Sequence, residues 1–110
     1  MRRVLVAALS AGALAALLLA CGGVGGAERE AAVAAAGEAY ARARAEGIDL
    51  SNGPCIADPL EGMPNWVVDV AHDPREDVDD DPANQCSSYR SGEASHFVEV
   101  DPSGDLIRAR

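Results

Sequence analysis

The chain of 110 residues carries 18 acidic and nine basic side chains, so its formal net charge at pH 7 is −9. This charge argues against binding to nucleic acid and against attraction to anionic membrane surfaces, because both kinds of partner attract basic proteins. The length leaves room for one small domain once a targeting segment is removed.

The first 20 residues have the composition of an export signal. Two basic residues, Arg2 and Arg3, precede an apolar run from Val4 to Ala20. This run is shorter than the ~20 apolar residues that a membrane-spanning helix needs. A basic start before a short apolar run is typical of a secretory signal peptide. We therefore predict that residues 1–20 are a signal peptide.

The end of the apolar run, Leu18-Leu19-Ala20-Cys21, resembles the lipobox of bacterial lipoproteins. In that family the signal peptide is cut directly before the cysteine, which carries a diacylglycerol on its sulfur and usually an acyl chain such as palmitate on its amine. The resemblance implies that Cys21 is lipidated and holds the protein on the outer face of the bacterial cell membrane. Two or more acyl chains anchor a protein stably.

Removal of residues 1–20 would leave a lipidated cysteine and a flexible glycine-rich tether over residues 21–27, followed by one domain over residues 28–110. It would remove two of the nine arginines and none of the 18 acidic residues, so the mature net charge becomes −11. Two alternatives stay open. Cleavage further along, for example after Ala27, would give a secreted protein, and an uncleaved segment would remain as an N-terminal anchor.

Cys55 and Cys86 are the two cysteines that remain beyond the lipobox, and they lie 31 positions apart. An even pair of cysteines in an exported chain predicts a disulfide. Closing a loop of this length stabilises a domain by roughly 3–4 kcal/mol in the chain-entropy model. The alternative, a pair of thiolate metal ligands, needs reducing conditions and at least one further ligand.

The segment Glu28–Glu46 is alanine-rich and predicts an N-terminal amphipathic helix, because alanine has the highest helix propensity. Gly47 is suited to the position just after a helix end. A glycine in mid-helix, Gly37, indicates close packing against a second element. The predicted apolar stripe consists of Val33, Ala36, Gly37, Tyr40 and Ala43.

The downstream sequence predicts strands, because β-branched and aromatic residues lie between proline and glycine turns. The predicted strands are Trp66–His72, His96–Val100 and Leu106–Ala109. Alternation places Val67 and Asp69 on the face opposite Trp66. The sequence "DPSGD" between the last two strands is typical of a hairpin turn. The predicted fold class is α+β, with the helix packed on a three- to four-stranded antiparallel sheet and one disulfide.

The order of a helix followed by strands, together with the ending "HFVEVDPSGDLIRAR", resembles the strand–turn–strand of PepSY-type and cystatin-like small domains. The resemblance implies a helix lying on one face of a small sheet. It carries over no functional residue.

Residues Asp73–Ser88 predict a long acidic loop, in which six of the nine residues from Asp73 to Asp81 are acidic. The nearest calcium template is the EF-hand loop, which alternates acidic ligands, places glycine at position six and glutamate at position twelve. Counted from Asp77, those two positions hold Pro82 and Ser88. The loop is therefore not an EF-hand.

Two interpretations of the acidic loop remain. A looser calcium site is one, since a hard cation relieves the repulsion between clustered carboxylates; its ligands would be Asp77, Asp79, Asp80 and Asp81. A solvated loop that serves as an interaction surface is the other, and it is the commoner case. The residues of that surface are Asp73, Glu76, Asp77, Asp79, Asp80 and Asp81.

The sequence contains no recognisable catalytic frame. Several serines lie near His96, but the nucleophile pattern G-x-S-x-G is absent. The two histidines, His72 and His96, lack the spacing of a metal-binding pair. We therefore predict a monomeric, non-enzymatic binding module without a cofactor, whose partner is a basic peptide or an envelope protein. The alternatives are a calcium-stabilised envelope domain and a small secreted hydrolase.

Overall fold

The computed structural model describes residues 25–110, so the predicted signal peptide and the lipidation site at Cys21 lie outside the described residues. The helices are α1 (Gly26–Ala45) and α2 (Ser87–Ser91), and the strands are β1 (Cys55–Ala57), β2 (Trp66–Val70), β3 (His96–Val100) and β4 (Leu106–Ala109). Short 3-10 turns span Leu50–Asn52, Asp77–Asp80 and Pro82–Asn84. In this part of the chain, no helix combines the length and the apolar character needed to cross a membrane.

The four strands form one sheet in the order β1-β2-β3-β4. The β3–β4 pair is antiparallel, as predicted, and so is the β1–β2 pair, although β1 was not among the predicted strands. By contrast, β2 and β3 run parallel. The α+β class is confirmed, and the prediction of a purely antiparallel sheet is wrong. Parallel neighbours need a crossover of a dozen or more residues. Residues 71–95 supply that crossover, although their prolines and acidic side chains suggested only a loop.

Helix α1 packs on one face of the sheet, and its fully buried residues are all alanines: Ala32, Ala36, Ala39 and Ala43. Their small side chains meet Trp66, Val68 and Val98 in the larger core. Because alanine makes up ten of its 20 residues, the helix is not clearly amphipathic. Of the predicted stripe, Ala36 and Ala43 are buried, and Val33 and Tyr40 are partly buried against the core. Gly37 is exposed, and a methyl group there would meet nothing within 4 Å, so the predicted close packing at Gly37 is wrong.

The end of α1 follows the prediction for Gly47, whose φ is 76°. The backbone N–H of Ile48 donates to the carbonyl of Ala43 at 3.1 Å, which closes the last turn as in a Schellman motif. The chain then turns towards β1.

The opposite face of the sheet is covered by the crossover. Val67 and Phe97 pack there against Cys86 and Ala94 in a second, smaller core. The predicted disulfide between Cys55 and Cys86 is confirmed, with an S–S distance of 2.10 Å. The disulfide joins the edge strand β1 to the crossover, so the crossover is covalently linked to the sheet.

Candidate functional site

The acidic segment Asp73–Asp81, here called the acidic crossover, is folded into defined turns. A 3-10 turn covers Asp77–Asp80 and a second one begins at Pro82. Arg75 donates from Nη2 to the carbonyl of Asp79 at 3.1 Å, which closes the segment on itself. The carboxylates of the acidic crossover are therefore presented by an ordered backbone.

Asp79 lies inside the acidic crossover, with 2% of its surface exposed. One of its carboxylate oxygens accepts from the backbone N–H of His72 and of Glu76, each at 2.9 Å, and the other lies 2.9 Å from His72 Nδ1. Burial opposes ionisation of Asp79, but the N–H groups of Glu76 and His72 outweigh it and hold the pKa below its ordinary value. Asp79 is thus a residue that fixes the loop, and the exposed surface consists of the other five acidic residues.

Gly53 provides the space that Asp79 needs. Its φ is 65°, and a methyl group built there would collide with the Asp79 carboxylate. A glycine at this turn is therefore required both by the backbone conformation and by the close approach of Asp79.

The remaining acidic side chains take different partners. Asp80 accepts from Arg75 Nε at 2.9 Å, and Asp81 accepts from the N–H of Ala83 at 3.0 Å. Asp77 is exposed. Three of the four predicted calcium ligands thus already bind protein donors, and the calcium site stays a prediction.

Residues 25–110 contain one group of three potential metal-binding side chains whose ligand atoms all lie within 4.8 Å of one another, Cys55, Asp58 and Cys86. Its two cysteines form the disulfide, so they offer no thiolates. The Asp58 carboxylate instead accepts from Ser88 N at 3.0 Å and caps the start of α2.

A cavity of about 360 Å³ lies beneath the acidic crossover, on the sheet face opposite α1. Strand residues from β2 and β3 form its base, and crossover residues form its sides. Asp69 and Glu99 are direct partners in the parallel register, as are Val67 and Phe97, so all four point to the same face. The full lining is Val67, Asp69, Arg75, Gln85, Cys86, Tyr89, Arg90, Phe97 and Glu99.

Glu99 is buried at the base of this cavity and is paired with two arginines. Its Oε2 lies 3.5 Å from Arg75 Nη1, and its Oε1 lies 3.3 Å from Arg108 Nε. Arg75 also pairs with Asp80 at 2.9 Å. The guanidinium group of Arg75 therefore connects the buried end of the cavity with the acidic crossover.

Asp69 has no such partner, because no other residue within 25–110 forms a hydrogen bond or ion pair with its carboxyl group, to which its own backbone N–H donates. Burial and then the neighbouring Glu99 carboxylate raise the pKa of Asp69 to about 7, and the charge of Asp79 adds to this. The positive charge of Arg75 opposes the shift without cancelling it. At neutral pH the cavity thus contains a carboxyl group that is ionised in only part of the molecules.

Aromatic rings line the cavity beside these charges. Tyr89 on α2 meets Phe97 edge to face, with ring centroids 5.1 Å apart. Tyr89 remains 45% exposed although it belongs to this pair. An exposed aromatic ring next to a partly ionised carboxyl group gives the cavity an apolar wall and an unpaired polar group, as in many ligand pockets.

The histidines lie at opposite ends of the sheet. His96 begins β3 and stacks on Trp66 at 4.8 Å, whereas His72 follows the far end of β2. Within the described range, the His96 ring forms no hydrogen bond with a serine hydroxyl or a carboxylate. The absence of a catalytic function stays a prediction.

The cavity could not have been located from the sequence in the way that the acidic loop was. Each of the two strands "WVVDV" and "HFVEV" carries an acid at its fourth position. Only the parallel pairing, in equal register, makes those acids neighbours. The acidic residue at the fourth position of both strands was therefore the signal that the sequence offered. Because an antiparallel sheet was expected, the two acids were not predicted to be neighbours.

Comparison with known proteins gives no relative for this chain. No protein-family model matches it, and no curated protein or solved structure matches it either.

Proposed function

We propose that this chain is a lipid-anchored, extracytoplasmic binding module whose acidic crossover receives a basic partner, either a basic peptide or a basic segment of an envelope protein. The observation that carries the proposal is the ordered set of exposed carboxylates held in place by buried Asp79. The exposed members are Asp73, Glu76, Asp77, Asp80 and Asp81.

The charge balance of the acidic crossover favours such a partner. Five exposed carboxylates lie within nine residues, and Arg75 is the one arginine in that segment. Like charges at this spacing repel one another, and a basic partner converts the repulsion into attraction. Because Asp79 and the disulfide already hold the backbone, little ordering entropy is lost when a partner binds.

Membrane attachment through Cys21 supports the same role. The lipobox resemblance provides the anchor, and the glycine-rich residues that follow Cys21 would connect the lipid to the domain. A mature charge of −11 keeps the domain away from anionic headgroups, so the acidic surface stays free for a partner. Release by cleavage beyond Cys21 would leave the same surface on a secreted protein.

The test compares two triple variants of equal net charge. The crossover variant is Asp73→Asn with Glu76→Gln and Asp77→Asn, and the control variant is Glu30→Gln with Glu38→Gln and Glu46→Gln. The control positions are exposed, and they lie on α1 or at its end, on the other side of the sheet.

Binding of a fluorescent peptide of alternating arginine and glycine to the purified full chain is followed by anisotropy at physiological salt. We expect the crossover variant to bind at least about fivefold more weakly, since each exposed charge contributes about 0.2–1 kcal/mol. The control variant should bind like the wild type. Equal weakening in both variants would show attraction by net charge alone and would contradict the proposal.

A further inference from the structure

Building on the basic partner proposed above, we propose that the cavity beneath the acidic crossover binds one guanidinium or ammonium group of that partner, with Asp69 as the counter-ion. The acidic crossover would attract the partner, and the cavity would select a single cationic side chain. Nothing in the lipobox resemblance or in the acidic crossover itself implies this second site.

The ion pairs of the cavity single out Asp69. Glu99 is paired with Arg75 and Arg108, and Arg75 also binds Asp80 and the carbonyl of Asp79. The charges of these carboxylates and arginines therefore neutralise one another without a ligand. Across residues 25–110, Asp69 is the lining carboxyl group that lacks a partner, and a cation beside it would supply the missing one.

The shape of the cavity suits a cationic side chain. A volume of about 360 Å³ lies within the range of small-ligand pockets. Tyr89 and Phe97 line it, and an aromatic face next to a carboxylate attracts ammonium and guanidinium groups by combined charge and cation–π interaction. Phe97 already accepts such a contact from Arg110, whose guanidinium carbon lies 5.7 Å from the ring centroid.

Arg90 is the lining group that opposes a cation. It lies on α2, is exposed, and forms no ion pair with another residue of the described range. Its charge should therefore weaken the binding of a cation. This opposite sign makes Arg90 the matched control for Asp69.

Several charged groups set the protonation of Asp69. Glu99 on β3 and Asp79 in the acidic crossover favour the protonated form, while Arg75 favours the ionised form. On the β1 side, the register partner is Cys55, which does not titrate because it is in the disulfide. Arg90 and Tyr89 line the cavity on the α2 side, and His72 Nδ1 lies 2.9 Å from the Asp79 carboxylate.

A cation should consequently bind more tightly as the pH rises from about 6 to 8, because a larger fraction of Asp69 is then ionised. By linkage, the bound cation should lower the pKa of Asp69.

The experiment uses the purified full chain and two small probes, n-butylguanidinium and its neutral analogue n-butylurea. Amide chemical shifts are followed by NMR during each titration. We expect n-butylguanidinium, and not n-butylurea, to shift the amides of residues 67–69 and 97–99 in a saturable way. Asp69→Asn should weaken this binding at least about tenfold, and Arg90→Gln should strengthen it.

Two results would overturn the cavity proposal: equal binding to the wild type and Asp69→Asn, or shifts confined to residues 73–81. The wild-type shift map decides the question even if a variant fails to fold. If n-butylguanidinium does not bind in the cavity, the experiment with the arginine–glycine peptide still tests the proposed function independently. If that experiment fails while the monocation still binds at Asp69, the cavity stands and the basic-partner function does not.

Discussion

Asp69 and Glu99 lie side by side on adjacent parallel strands, yet only Glu99 is paired with arginines. The same sheet face thus holds one carboxyl group that is neutralised by Arg75 and Arg108 and one that is left without a partner in residues 25–110. Burial, followed by the neighbouring Glu99 carboxylate, raises the pKa of Asp69 to about 7. Asp69 is therefore the residue through which both stability and binding should respond to pH.

The stability of the domain should fall as the pH rises from about 4 to 7. The pKa of Asp69 is raised in the folded state from its ordinary value of 3.8 to about 7, so the folded protein binds more protons than the unfolded chain between these values. The free energy of unfolding therefore decreases with pH: the raised pKa is worth about 4 kcal/mol in all at about 1.4 kcal/mol per pKa unit, and roughly 3 kcal/mol of this is lost between pH 4 and 7. Urea unfolding at several pH values measures it.

Asp69→Asn should remove this decline while leaving the fold intact. Below pH 4 the sign reverses, because the pKa values of Asp58, Asp79 and Asp101 are lowered in the folded state and their contribution is lost on protonation. Maximal stability is thus expected near pH 4–5 in the wild type. An identical slope from pH 4 to 7 in wild type and Asp69→Asn would contradict the role given to Asp69.

Replacing Asp79 should destabilise the domain strongly. Asp79→Ala would leave the N–H groups of His72 and Glu76 without their acceptor in a part-buried place, which costs about 2–4 kcal/mol in all. The exposed neighbour Asp77 provides the control, and Asp77→Ala should change the free energy of unfolding by less than about 0.5 kcal/mol. Similar urea midpoints for the two variants would show that Asp79 does not hold the loop.

Loss of the disulfide should cost about 3–4 kcal/mol, since the bond closes a loop between cysteines 31 positions apart. The measurement is urea unfolding with and without dithiothreitol. The double variant Cys55→Ala with Cys86→Ala serves as the control, because reductant should leave its midpoint unchanged. A wild-type midpoint that is insensitive to reductant would show that the bond contributes little.

The calcium hypothesis for Asp77, Asp79, Asp80 and Asp81 makes a separate prediction. If the ion binds, millimolar calcium should raise the melting temperature, because a ligand that binds only the folded state stabilises it. EDTA should reverse the rise. An unchanged melting temperature would contradict the calcium hypothesis. The acidic crossover would then be proposed only as a binding surface for a basic partner.

Anchoring at Cys21 is tested in cells. Cys21→Ser should move the protein out of the membrane fraction or block its processing, because the acyl chains supply the membrane affinity. The processed wild-type protein should also carry the added mass of the lipid. Unchanged mass and unchanged fractionation in Cys21→Ser would contradict the lipobox assignment.

Local features could be predicted from the sequence with good accuracy. The bounds of β3 and β4 are those predicted, the start of β2 agrees, and Gly47 ends the helix region as expected. The disulfide followed from the cysteine count. The strands and the helix end depend on alternation and turn residues, which are encoded within short stretches of chain, and the disulfide is the one pairing that two cysteines allow.

The parallel pairing and the cavity could not be predicted in the same way. The direction of β3 depends on the path of residues 71–95 between β2 and β3. Buried Asp79 holds that path, but in the sequence it is one of several acidic residues in a row. The buried side of α1 was predicted only in part: Ala36 and Ala43 are buried as expected, whereas Ala32 and Ala39 were missed because alanine occupies both faces. Long-range contacts decided these features, and local sequence patterns carry little information about them.

The most direct test of the central claim is a map of where a basic peptide touches the domain. The purified full chain is titrated with the arginine–glycine peptide at physiological salt while amide chemical shifts are followed by NMR. We expect the shifts to concentrate in residues 73–81 and in the cavity residues 67–69 and 97–99. Shifts spread along α1, or none at all, would contradict it.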